Sequence, residues 1–152
     1  MELDLRTHFQ SKLDEMARFA RDIVAIESPT TSKVAVDAVG EVVAGALANC
    51  GAEITVHPRE QVGDIVEARW NAGAPGAPLL IVCHLDTVHP TGAVRRNPVR
   101  FEDGGLYGPG AYDMKGSVAV VVGAVGGLQE LGAFPARPVI ALMTTDEETG
   151  SF

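Results

Sequence analysis

Three short clusters in this sequence combine imidazole or carboxylate groups with positions that could bring them together. The first is His84-Leu-Asp86, directly after the apolar run Leu79–Cys83. Side chains alternate along a strand, so His84 and Asp86 share a face and Cys83 points the other way, which argues against it as a co-ligand. A histidine with a carboxylate beside it suits a metal ligand and the partner that fixes its tautomer and raises its basicity. The other reading is a satisfied core histidine at a strand end. The second cluster is Asp113, in Tyr-Gly-Pro-Gly-Ala-Tyr-Asp-Met-Lys-Gly over 107–116. Gly108 and Gly110 allow a sharp turn, after which Asp113 could ligate a cation or simply cap the following helix. This stretch has neither GxGxxG spacing nor a GKS/T ending, so it does not read as a phosphate loop. The third is Asp146-Glu147-Glu148, after the apolar run Val139–Thr144. Adjacent acids repel unless cations or solvent compensate, and a solvated loop is the bland alternative. In open α/β sheets, however, ligands bind at the carboxyl ends of strands. Nitrogen and oxygen donors without thiolate suit zinc, and also cobalt or manganese.

The elements that must position these groups can be read from periodicity. Leu5, Phe9, Leu13, Met16, Phe19, Ala20 and Ile23 recur at helical spacing and predict one helix over Asp4–Glu27, ended by Ser28-Pro29. Thr30, Thr31 and Ser32 offer N-cap hydroxyls for a second helix over Lys33–Asn49, with Gly51 as its stop. Alternation predicts half-exposed strands at Glu53–His57 and Asp64–Trp70. The continuous apolar run Leu79–Cys83 predicts a strand buried on both faces, and Arg137–Thr144 a second one. Thr91–Asp103 reads as an irregular excursion, with a short strand at Gly105–Tyr107. Lys115–Leu131 is apolar nearly all round, as in a helix packed on a sheet. Helices alternating with buried strands give an α/β fold: a mixed, centrally parallel sheet flanked by helices.

Composition narrows the function. With 46% hydrophobic and 21% charged residues, the 152-residue chain can build a core. A net charge of −8 argues against nucleic acid, which needs clustered Lys and Arg. No apolar run is long enough for a bilayer and no leader pattern is visible, so no membrane partner and a cytoplasmic location are expected. Cys50 and Cys83 are expected to be buried thiols, and His8, His57 and His89 surface or loop residues.

The strings Leu-Ile-Val-Cys-His-Leu-Asp-Thr-Val (80–88), Leu-Tyr-Gly-Pro-Gly-Ala-Tyr-Asp-Met-Lys-Gly (106–116) and Thr-Thr-Asp-Glu-Glu-Thr-Gly (144–150) resemble the co-catalytic zinc family of glutamate carboxypeptidase, acetylornithine deacetylase and succinyl-diaminopimelate desuccinylase. The motifs occur in the family's order and at similar spacing. The resemblance implies two zinc ions and hydrolysis of an amide bond in a small N-acyl amino acid or C-terminal peptide. It implies that His84 and Glu148 are metal ligands, Asp113 bridges the metals, Asp86 orients His84 and Glu147 is the general base. It further implies a cis peptide after Asp113. Gly108-Pro109-Gly110 tilts the reading toward carboxypeptidase-like members, with deacetylase or desuccinylase as the alternative. The family also uses a later acidic ligand, a final histidine and an inserted lid domain that carries homodimer contacts. None falls in this sequence, so 1–152 reads as the N-terminal part of the catalytic domain, expected to be inactive alone. A non-catalytic remnant with weak or no metal binding is the reading from another class.

Overall fold

The computed structural model describes residues 4–151; residues 1–3 and 152 of the expected 1–152 domain lie outside the described residues. The single long helix predicted at the start is two helices, α1 (Leu5–Ser11) and α2 (Leu13–Ala25), broken at Lys12. Asp4 caps α1, accepting from the Thr7 N–H at 3.0 Å. The break comes from tertiary contact rather than from a helix-breaking residue: Lys12 leaves the helical stripe and pairs with Glu130 at 2.8 Å. Beyond α2, Ile26 is extended and the helix does not resume before Pro29. Helix α3 (Lys33–Asn49) has the expected limits and buries Val36, Val39, Val43 and Leu47.

Strands β1 (Glu53–His57), β2 (Ile65–Trp70) and β3 (Leu79–His84) come next. The predicted irregular excursion contains a one-turn helix, α4 (Ala93–Arg96), and a hairpin of β4 (Arg100–Glu102) with β5 (Gly105–Tyr107). An irregular turn (Ala111–Lys115) leads into α5 (Gly116–Glu130), succeeded by β6 (Val139–Thr144) and a short 3-10 turn (Glu147–Thr149).

The main sheet is mixed, in the order β1-β2-β6-β3. Its parallel pairing is β3 with β6, at one side rather than at the centre of the described sheet; the other two pairings are antiparallel. That position corrects the reading of β3 as buried on both faces. It is one of the two edge strands among the described residues, with Leu80 61% and Val82 55% exposed. An apolar run signals a strand but cannot distinguish a centre from an edge. The helices α2, α3 and α5 cover one face, where Ile23, Val39, Leu47 and Val118 pack on Val66, Ala68, Ala141 and Met143. No helix among the described residues is long and apolar enough to cross a membrane. Cys83 is buried as expected, but Cys50, just past the end of α3, is only partly so.

The β3–β6 register does the positioning. Leu79 pairs with Val139 and His84 with Thr144, so both strands end level. Leu85 N–H continues the ladder to the Thr144 carbonyl at 2.9 Å. The chain segments leaving β3 and β6 must therefore emerge side by side.

Candidate metal centre

His84 ends β3 and is almost completely buried. Its Nε2 lies 3.0 Å from Asp113 Oδ1 and 3.9 Å from Glu147 Oε2. Its Nδ1 lies 3.1 Å from the Asp86 carbonyl oxygen and 3.4 Å from Asp86 Oδ1. Donor atoms of His84, Asp113 and Glu148 all fall within 4.8 Å of one another. The strand ends thus bring three sequence-predicted ligand candidates together, with Asp86 behind the imidazole and Glu147 at the rim.

Asp113 reaches the centre through the turn after β5. Gly108 and Gly110 both adopt positive φ, and a Cβ at Gly110 would stand 2.6 Å from the Thr87 side chain. Only glycine lets the turn lie that close to the chain segment beyond His84. The Asp113–Met114 peptide is cis, as the resemblance implied. The capping alternative for Asp113 does not hold: no side-chain cap is formed at α5, and its carboxylate faces His84 instead.

Electrostatics favour a positive charge at this point. The hydrogen bond with Asp86 pushes His84 up to about 9; burial pulls the other way and Asp113 adds to the rise. Burial works to raise the Asp86 carboxyl, yet hydrogen bonds from His84, the Thr30 hydroxyl and the Glu148 N–H hold it below its ordinary value. If Nδ1 carries the proton toward Asp86, a neutral His84 aims the Nε2 lone pair at two carboxylates. That arrangement needs a proton or a cation between them, so the donor set fits a divalent metal. The Asp113 and Glu147 side chains are 70% and 58% exposed, leaving the centre open to solvent. A cavity of about 890 Å³ lies elsewhere, among α2, α3 and α5, and none of these residues lines it.

Residues 80–152 match the family described as Peptidase family M20/M25/M40. This stretch belongs to that family. The matched stretch contains His84, Asp113, Glu147 and Glu148. Carboxypeptidase G2 of Pseudomonas sp. (strain RS-16) is 33% identical over 149 residues, covering 95% of this chain and 36% of that protein. Succinyl-diaminopimelate desuccinylase of Rhodospirillum centenum is 36% identical over 135 residues, covering 85% of this chain and 34% of that protein. The crystal structure of human carnosine dipeptidase 1 superposes with a TM-score of 0.83 at 22% identity, covering 99% of this chain and 36% of that one; at that identity it shows the fold. The chain spans about a third of the length of the curated relatives it matches.

Several residues packed around this cluster had no sequence signal. Thr30, read as a cap for α3, donates its hydroxyl to Asp86 Oδ2 at 2.6 Å. Ser28 donates to the Leu85 carbonyl at 2.7 Å. Lys115 is 1% exposed and bonds the Ile26 carbonyl. Hydroxyls beside a proline read as turn chemistry, and nothing local marks a lysine for burial. The remaining histidines stay outside the centre: His57 pairs with Glu67 on β2 and His8 lies near Glu130.

Proposed function

We propose that this chain supplies part of the centre for metal-dependent hydrolysis of an amide bond in a small N-acyl amino acid or C-terminal peptide. The convergence of His84, Asp113 and Glu148 within 4.8 Å carries this reading. Those residues would hold the metal, read as two zinc ions with cobalt or manganese as substitutes. When bound, such ions polarise a carbonyl and lower the pKa of water to about 7. The chain's own groups do the rest. Asp86 fixes the His84 ring so that Nε2 faces outward. Asp113, whose Oδ1 lies 3.0 Å from His84 Nε2, would be the carboxylate shared between the metals. Glu147 accepts the proton of the attacking water at a carboxylate oxygen and passes it to the departing amine nitrogen.

The match to carboxypeptidase G2 over 149 residues favours release of a C-terminal amino acid. The desuccinylase match supports the deacylase alternative. Residues 1–152 are read as the N-terminal part of a catalytic domain, with dimer contacts, if any, outside it. One histidine and a few carboxylates do not complete two metal sites, which favours a second reading in which this chain alone is catalytically silent and binds metal weakly or not at all. Calorimetric zinc titration with an amidase assay on the 152-residue chain tests both. Metal binding without turnover is expected; turnover matching a complete carboxypeptidase would refute the silent reading. Comparing N-acyl glutamates with N-succinyl amino acids, on a longer protein carrying these residues, decides between the two substrate classes.

A further inference from the structure

The connector between α2 and α3 takes no part in the hydrolytic chemistry, yet it bonds to two of the three segments that carry the candidate ligands. Ser28 holds the Leu85 carbonyl through its hydroxyl, and its own carbonyl accepts from the Thr87 N–H at 2.8 Å. Pro29 and Thr87 form a parallel bridge, and the Thr30 N–H donates to the Thr87 carbonyl at 3.3 Å. The Thr30 hydroxyl then reaches Asp86 Oδ2. From the other side, Lys115, two residues after Asp113, donates to the Ile26 carbonyl. All four of these side chains are buried: Ser28 1%, Thr30 6%, Asp86 0% and Lys115 1% exposed.

Lys115 is the informative member. It is the largest fully buried side chain among the described residues, and its one hydrogen bond there is to the Ile26 carbonyl, with the Glu27 carboxylate acting on it only through space. Burying an ammonium with one carbonyl as its hydrogen-bond partner is costly, and burial outweighs the pull of Glu27; a methionine or leucine would fill the volume without that cost. Local rules are broken in this way mainly where position serves a site. The bond it makes crosses from the Asp113 turn to the connector, which in turn grips Asp86.

We propose that the Ile26–Thr30 connector is the positioning element of the metal centre, with Thr30 setting Asp86 behind His84 and Lys115 anchoring the turn that carries Asp113. The proposal rests on the metal-centre reading. Thr30 and Lys115 act through other residues; neither is a ligand.

The test is a Co2+ titration of the 152-residue chain by visible absorption, run beside thermal unfolding, on wild type, Thr30→Val, Thr30→Ser, Lys115→Met and His84→Ala. Thr30→Val is expected to weaken Co2+ binding about 10–100-fold and to change the absorption bands. Thr30→Ser is expected to restore both, because only the hydroxyl is required. Lys115→Met keeps the aliphatic stem and is expected to weaken binding as well. A merely structural role would lower the unfolding temperature while leaving the affinity and bands of the folded chain unchanged, and that result overturns the proposal. Should Thr30→Val fail to fold, Lys115→Met decides by the same criterion. The His84→Ala arm separates the two levels. If it binds Co2+ like wild type, or wild type does not bind, the metal-centre reading falls and the proposal with it. If only His84→Ala loses binding, the positioning role alone is refuted.

Discussion

Where α2, α3 and α5 meet the sheet, the fully buried side chains are aliphatic: Ile23, Val36, Val39, Val43, Leu47 and Val118. Around the carboxyl ends of β3 and β6 the buried side chains, Leu85 apart, are polar: His84, Asp86, Thr87, Lys115, Thr145 and Asp146. All the buried polar residues but Glu67 lie at that rim or in the connector beneath it. The two regions share strands, so the difference is one of position along them. The first region gains from removing apolar surface from water. The second bears desolvation costs that hydrogen bonds only partly offset. A chain keeps such a rim for what it can hold rather than for the stability it adds.

Substitutions should therefore separate activity from stability. The largest effect expected is on catalysis: in a longer protein carrying these residues, Glu147→Ala should lower turnover about 10²–10⁴-fold. A loss below that range, read by steady-state assay, would remove Glu147 from the role of base. In the core, Leu47→Ala should cost about 2–5 kcal/mol in urea unfolding while the folded fraction binds metal normally. A core substitution that weakened metal binding and left stability intact would break the division between the regions.

The pH dependence should also divide. His84 has its pKa raised to about 9, above an unfolded value of 6.5. Its contribution to the metal-free fold is complete below pH 6.5 and is lost as pH rises toward 9. Lys115 is lowered to about 8 from 10.5, chiefly by burial. Its penalty is present below pH 8 and is relieved between pH 8 and 10.5. Urea midpoints should fall from pH 6.5 to 8, level off toward 9 and rise from there toward 10.5, whereas Lys115→Met should keep falling to about 9 and show no rise beyond it. The smallest effect belongs to the exposed sheet face: Leu80→Thr should change stability by less than about 0.5 kcal/mol in this chain.

Much of this was legible in the sequence because it is written locally. The limits of α3, β1 and β5 come from apolar spacing and turn residues, and the three clusters lie where strand-end logic puts them. What escaped detection depends on contacts between distant residues. The break at Lys12 answers to Glu130, 118 residues away. Thr30 answers to Asp86 and Lys115 to Ile26, across 56 and 89 residues. Such bonds leave no periodic trace. The edge position of β3 was hidden for a related reason: a continuous run of apolar residues looks the same with one neighbouring strand or two.

Zinc calorimetry on the 152-residue chain and its His84→Ala and Glu148→Gln variants goes most directly to the claim that these side chains hold a cation together. Saturable binding is expected in wild type, tightening as pH rises because the metal must displace the His84 proton. Each variant should bind at least about tenfold more weakly. Equal affinity in all three forms, or no binding in any, would contradict it.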